Sequence, residues 1–213
     1  MNYWRQTDIV DIDRVMQQPV TIIGAGAVGS FVALALAKMG AQLIAVYDDD
    51  RIEDHNLPNQ FYRVRDLGML KVVALQDIVR EYTGTIIEAL PVKYEKQELE
   101  GVVIVAADNM EARRKIWEQV RYQTKVPLYI DTRMGAEVAI VHAVKPLDVD
   151  DVRAYEATLH SSDEAFHARC TEKAIVYTAL GLAAITAGKV KKFLMAEPYK
   201  KTVVRDFRLS VLQ

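Results

Sequence analysis

The feature that most limits what this chain can fold into is a glycine-spaced loop near its start. Val20-Thr-Ile-Ile23 is a short β-branched run that ends in Gly24-Ala-Gly-Ala-Val-Gly29, and Ser30 to Met39 then reads as an apolar helix rich in Ala and Leu. β-Branched residues favour strands, glycines free the backbone at a turn, and Ala and Leu favour helix. Gln42-Leu-Ile-Ala-Val-Tyr47 supplies the second strand to which the helix returns. Two strands joined this way are parallel, with a right-handed crossover, in a unit of about 30 residues. Glycines at this spacing let the backbone approach phosphate, and the helix N-terminus offers free N–H groups to negative charge. Asp48 ends the second strand, 19 residues beyond Gly29, where a carboxylate can accept both hydroxyls of a ribose. Gly24, Gly26, Gly29 and Asp48 together specify an adenosine nucleotide with a free 2′-OH, and NAD satisfies them as well as ATP. The competing reading is that the glycines only pack helix on strand and that Asp48 is a solvated turn residue.

Further along, Leu70 to Tyr82 has apolar residues at helical spacing, and Thr85 to Leu90 reads as a strand. Gly101-Val-Val-Ile-Val-Ala106 is wholly apolar, as suits a central parallel strand covered on both faces. Met110 to Gln123 reads as a helix and Pro127 to Asp131 as a strand. Gly135 to Val144 reads as another strand, with Gly135 permitting a tight, antiparallel reversal. The expected fold is α/β and Rossmann-type: a mostly parallel central sheet with helices on both faces, then antiparallel strands and a C-terminal helix. One domain spans residues 1–213, with its core in 1–144. Residues 145–170 are a polar surface crossover with at most short helices. Residues 171–213 hold a long helix, Thr171 to Leu194, and a tail from Thr202 to Leu212 that reads as an edge strand or a docking segment.

Composition removes several classes of function. The chain has 27 Lys and Arg against 29 Asp and Glu, a net charge of -2, so no cationic surplus exists to hold a nucleic-acid backbone. A single cysteine, Cys170, excludes an internal disulfide framework and a four-cysteine site, so no structural zinc is expected. The start, MNYWRQTDIVDID, is polar and acidic where a secretory signal is basic and then apolar, which implies a cytoplasmic protein. The most apolar stretch, Ala174 to Ile185, falls well short of the roughly 20 residues that span a bilayer, and no membrane association is expected.

The residues after Asp48 carry a resemblance that bears on the choice between ATP and NAD. Asp48-Asp-Asp-Arg-Ile-Glu-Asp-His-Asn-Leu-Pro-Asn-Gln60 and then Gly68-Met-Leu-Lys71 resemble the ThiF/MoeB/HesA family, prokaryotic relatives of ubiquitin-activating enzymes. Its pattern is an acidic pair, an Asn-Leu-x-Arg-Gln box and Gly-x-x-Lys. The resemblance continues in Tyr3-Trp-Arg5-Gln6, Ala107-Asp108-Asn109 and Arg133-Met134-Gly135, in order over most of residues 1–144.

The resemblance implies an ATP-dependent adenylyltransferase that activates the C-terminal glycine carboxylate of a small ubiquitin-like or sulfur-carrier protein ending in Gly-Gly, releasing pyrophosphate. Lys71 would reach the α-phosphate, where negative charge grows as a carboxylate attacks. Asp108 would hold Mg²⁺ through ATP, with capping of the helix from Met110 as its alternative. Asn56, Asn59 and Gln60 fall in the phosphate box and Asp50 beside the adenosine or the metal. For Lys71 the alternative is a surface lysine, and for Asn56, Gln60 and Asp50 ordinary loop bonding. Arg5 matches an arginine that reaches a partner subunit's ATP site, which implies a homodimer, with a frayed terminal arginine as the alternative. One position departs from the pattern: Asn59 stands where the family has arginine, and Arg63 or Arg65 are the nearby substitutes.

Cys170 precedes the last helix, where a helix dipole would favour thiolate and thioester formation; a small buried residue is the alternative. His55, His142, His160 and His167 have no metal-ligand spacing. Asp131 and Arg133 can pair, either flooring an acceptor channel or as an ordinary structural ion pair. Two other functions stay open: an NAD-dependent oxidoreductase, and a non-catalytic ThiF-like binding subunit, which Asn59 would permit.

Overall fold

The computed structural model describes residues 1–159 and 175–209. Its strands are β1 (Val20–Ile23), β2 (Ile44–Tyr47), β3 (Glu88–Leu90), β4 (Val102–Val105), β5 (Leu128–Gly135), β6 (Val138–Val144) and β7 (Thr202–Asp206). They make one sheet in the order β3-β2-β1-β4-β5-β6-β7. The first five run parallel, and β6 and β7 are added antiparallel, as the sequence predicts. β1 and β4 are buried at every position and apolar but for Thr21, because each lies between parallel neighbours and beneath helices on both faces.

The helices are α1 (Ile12–Gln17), α2 (Ala27–Lys38), α3 (Lys71–Thr83), α4 (Met110–Val120), α5 (Val149–Glu156) and α6 (Val176–Leu194). Val32 and Leu36 of α2, Leu75 of α3 and Leu182 of α6 join Ile22, Val46, Ile104 and Ile130 in one core layer. On the other face, Ile116 and Trp117 of α4 and Val152 and Tyr155 of α5 close over Val103, Val105 and Tyr129. Trp117, Tyr129 and Tyr155 stack there with ring centroids 4.7–5.4 Å apart.

Several boundaries differ from the sequence reading. α2 begins inside the glycine loop, at Ala27 rather than Ser30, so that Gly29 lies in its first turn. β5 continues to Gly135, and the reversal into β6 turns instead on Ala136, whose φ is +50°. The polar crossover contains α5, anchored by buried Val152 and Tyr155 and capped by the Asp148 side chain on the N–H groups of Asp150 and Asp151. α1 has no counterpart in the sequence reading; it is a six-residue helix capped by Asp11. The tail pairs on β6 as an edge strand over Thr202–Asp206. Helix α6 is described from Val176, and Cys170, His160 and His167 lie outside the described residues.

Candidate functional site

β1 and β4 are neighbours in the sheet, yet the helices that follow them pack on opposite faces. The loops at their carboxyl ends therefore diverge at the switch point of the sheet, where the crevice that takes up ligands lies in open α/β sheets. The glycine loop forms one wall and Ala106 to Asn109 the other.

The three glycines have different reasons to be there. Gly24 has φ +101°, and a Cβ on it would lie 2.6 Å from the Ala106 carbonyl oxygen. A methyl at Gly29 would overlap the Gly24 carbonyl oxygen, so this glycine lets α2 sit close on β1. Gly26 has nothing within 4 Å of its missing Cβ, and it begins α2 with no side-chain cap. Packing accounts for Gly24 and Gly29, while Gly26 keeps a helix N-terminus open to the crevice.

Asp48 is not a solvated turn residue. Its Oδ2 accepts the Ala25 N–H at 2.7 Å and its Oδ1 the Asp50 N–H at 2.9 Å. Burial raises its carboxyl above the ordinary aspartate range, with the Ala25 N–H pulling the other way. The carboxylates of Asp48, Asp49 and Asp50 lie within 4.8 Å of one another. Facing them is Lys71, the first residue of α3, which is 7% exposed and donates from Nζ to Asp50 Oδ2 at 2.6 Å. Its place is thus not that of a surface lysine on a solvated face.

Across the crevice, Asp108 is exposed just beyond β4. The cap of α4 is Asn109 rather than Asp108, its Oδ1 accepting the Ala112 N–H at 2.8 Å while its Nδ2 donates to Asp108 Oδ1 at 2.8 Å. Asp108 is left facing solvent with a carboxylate oriented by its neighbour. Hard oxygen donors of this kind suit Mg²⁺ with its shell of water.

The Asn56 to Gln60 box is a tight turn. Asn56 is buried, its Oδ1 accepting the Glu53 N–H at 2.9 Å and its carbonyl accepting the N–H groups of Asn59 and Gln60 at 3.2 and 3.0 Å. The Asn56 side-chain oxygen therefore builds the loop. Gln60 Oε1 is buried without a hydrogen-bond partner among the described residues. The substitutes for a family arginine at Asn59 are engaged elsewhere. Arg63 bonds Asp66 at 2.9 Å, Asp77 at 2.8 Å and also Glu81, and Arg65 reaches Glu81 at 3.2 Å. Both guanidiniums bind this loop to α3.

Arg5 lies in an exposed 3-10 turn, Trp4–Gln6, whose Gln6 Nε2 donates to the Lys38 carbonyl at 3.1 Å. Lys38 ends α2 and the glycine loop begins it, roughly 18 Å away along twelve residues. The turn that carries Arg5 is thus held at the end of α2 opposite to the glycine loop.

Asp131 and Arg133 do pair, at 2.7 Å, but within a larger buried group. Asp131 is wholly buried; its Oδ1 takes Arg113, and its Oδ2 takes Arg133 and the Tyr155 hydroxyl, the latter at 3.1 Å. Burial pushes the Asp131 carboxyl up, and the Arg113 and Arg133 charges outweigh this and hold it below the usual range. Arg113 also donates to the Ala107 carbonyl, which fixes the wall that carries Asp108. Arg133 ties β5 to the end of α5 through the Thr158 carbonyl at 2.9 Å. Nearby His142, 3.0 Å from Thr202 Oγ1, is lowered to about 4 by burial and by Arg133, so it is neutral at pH 7.

Arg113, Tyr62 and Ser30 are given no part in the site by the sequence reading. Arg113 left a signal: it shares a helical face with Ile116, Trp117 and Val120, and an arginine on an apolar stripe needs a buried partner.

With this geometry established, comparison with known proteins places the chain. The ThiF family profile matches residues 3–209. The chain belongs to the ThiF family. Among curated relatives of this ThiF protein, the probable molybdopterin-synthase adenylyltransferase of Gracilaria tenuistipitata var. liui is 29% identical over 124 residues, 54% of this chain and 35% of that protein. The NEDD8-activating enzyme E1 catalytic subunit of Arabidopsis thaliana is 33% identical over 116 residues, 51% of this chain and 24% of that one. Ubiquitin-like modifier-activating enzyme 5 of Caenorhabditis elegans is 33% identical over 67 residues, 32% of this chain and 16% of that one. The matches thus span between 16% and 35% of these relatives' lengths. Among solved structures, PaaA superposes with a TM-score of 0.75 at 19% identity, covering 93% of this chain and 63% of PaaA. E. coli MccB with ATP gives 0.66 at 19% identity, covering 88% and 60%. These likenesses show the fold. No described helix is long and apolar enough to cross a membrane.

Proposed function

We propose that this ThiF-family protein is an ATP-dependent adenylyltransferase that joins AMP to the C-terminal carboxylate of a small ubiquitin-like or sulfur-carrier protein ending in Gly-Gly. The observation that carries this reading is Lys71. A cation held almost out of solvent beside Asp50, on the glycine-loop side of the crevice, has a use where a phosphate gains charge. Adenylyl transfer needs little covalent chemistry from the protein: carboxylate oxygen attacks the α-phosphorus, pyrophosphate leaves, and the site orients both and offsets charge. Gly26 at the open start of α2 would meet the phosphates, and Asp48 the ribose. Mg²⁺, when bound with ATP, draws negative charge off the phosphates, and Asp108 is the residue suited to hold it. Arg5 would enter the site of a second copy, since its turn is held at the end of α2 opposite to its own glycine loop. ThiF membership and the solved MccB complex with ATP favour ATP over a nicotinamide dinucleotide.

A second reading has one observation in its favour. Asn59 brings no charge to the phosphate box, and Arg63 and Arg65 are bound to carboxylates, which suits a non-catalytic subunit that binds a carrier without activating it. ATP–pyrophosphate exchange in the presence of a Gly-Gly carrier separates the two, being present for an adenylyltransferase and silent for a binding subunit. Thermal shifts measured separately with ATP and NAD test the nucleotide, because only a true ligand stabilises by mass action.

A further inference from the structure

The segment after Gln60 grips the glycine loop directly. Ser30, fully buried in the first turns of α2, accepts the Phe61 N–H at 3.1 Å. The Tyr62 hydroxyl donates to the Ala25 carbonyl at 2.6 Å. Arg63 then fastens the same segment to Asp77 and Glu81 of α3. Residues 61–63 are a strap between the two helices that border the site. The Tyr62 hydroxyl remains a donor at any ordinary pH, since burial, and after it the Asp48 charge, raise it well above the usual tyrosine value.

A trans peptide unit is planar, and its C=O and N–H point in opposite directions. Ala25 takes part in two such units. In the first, the Ala25 N–H is held by Asp48, and the opposed Gly24 carbonyl lies against Gly29. In the second, the Ala25 carbonyl is held by Tyr62, so the Gly26 N–H points away from Tyr62. Gly26 is also the loop glycine with open space at its missing Cβ. Side chains distant in sequence therefore clamp Ala25 from both sides and leave its neighbour's N–H free to meet a ligand.

We propose that Tyr62 is a positioning residue for phosphate: by holding the Ala25 carbonyl it aims the Gly26 N–H at the phosphate chain of the bound nucleotide. The proposal rests on the nucleotide reading above, and it concerns the phosphates rather than the adenosine. Removing the hydroxyl frees the Ala25–Gly26 peptide to rotate and leaves a buried carbonyl without its donor.

Titration calorimetry of the wild type and of Tyr62→Phe with adenosine, ADP and ATP tests this. Tyr62→Phe is expected to weaken ADP and ATP about tenfold, the scale of one hydrogen bond, and adenosine less than about twofold. Equal weakening of all three ligands, or unchanged ADP affinity, would overturn the proposal while leaving the nucleotide reading intact. A wild type that binds neither ADP nor ATP would overturn both. Should Tyr62→Phe not fold, the wild-type amide resonances serve: ADP is expected to move the Gly26 N–H downfield and leave the Ala25 N–H, already held by Asp48, in place. Movement of Ala25 without Gly26 would refute the assignment.

Discussion

Replacing Asp131 by asparagine is the sharpest test of the buried charge beneath the crevice. Both carboxylate oxygens are occupied, Oδ1 by Arg113 and Oδ2 by Arg133 and the Tyr155 hydroxyl. Whichever way the amide is turned, its NH₂ must therefore face a donor. The substitution also removes the one carboxylate that, among the described residues, bonds both guanidiniums, and Arg113 is 6% exposed. Breaking a buried pair by removing one partner costs about 3–5 kcal/mol, because the remaining charge is left uncompensated. For a chain of this size that is a fall of roughly 6–20 °C in melting temperature. Urea unfolding of wild type and Asp131→Asn supplies the free energies and calorimetry the temperatures. Adding Arg113→Met to Asp131→Asn is expected to recover part of the loss, since it withdraws one stranded cation. A destabilisation under about 1 kcal/mol, or no recovery in the double variant, would refute the reasoning.

Three further outcomes are expected. Gly29→Ala destabilises by about 1–3 kcal/mol or more through overlap with the Gly24 carbonyl, whereas Gly26→Ala, with open space around it, leaves the melting temperature nearly unchanged and weakens ATP binding. Thermal shift with and without ATP separates the two. His142 is neutral in the native state and lowered to about 4, so the unfolded chain takes up its proton first as pH falls from about 6.5 to 4, and stability is lost across that window. The loss is on the order of 2 kcal/mol, and His142→Gln should reduce it in urea titrations at pH 4.5 and 7. If Arg5 acts across a dimer, mixing inactive Arg5→Ala with inactive Lys71→Ala restores about a quarter of wild-type exchange, since half of random pairs are mixed and each holds one intact site. No recovery after subunit exchange would dispose of the trans role.

The parts of the fold legible in the sequence are those whose cause is local. β1, its glycines and α2 follow from β-branched, glycine and Ala-Leu runs, and β4 declares itself by six successive apolar residues after Gly101. Asp48 could be nominated because it sits at a strand end after a glycine loop, and Lys71 because Gly68-Met-Leu-Lys71 resembles the family's Gly-x-x-Lys box. What was hidden is non-local. α5 has a polar composition, and only the aromatic pocket of Trp117 and Tyr129 makes Tyr155 an anchor. The β5–β6 reversal falls on Ala136 because the strand register places it there, past the glycine that sequence favours. Tyr62 and Arg113 act on Ala25 and Asp131 across 37 and 18 residues, and no spacing rule connects such pairs. Asn59 shows the reverse case: the missing arginine is visible in the sequence, but only the structure shows that Arg63 and Arg65 are paired with Asp66, Asp77 and Glu81.

The central claim is that Lys71 and Asp108 turn a phosphate-binding loop into an adenylation site. ATP–pyrophosphate exchange measures that reaction without the identity of later steps, using full-length protein and a Gly-Gly carrier. Lys71→Ala and Asp108→Ala are each expected to lower exchange by about a hundredfold or more while remaining folded by circular dichroism. Exchange at the wild-type rate in both variants would contradict the claim.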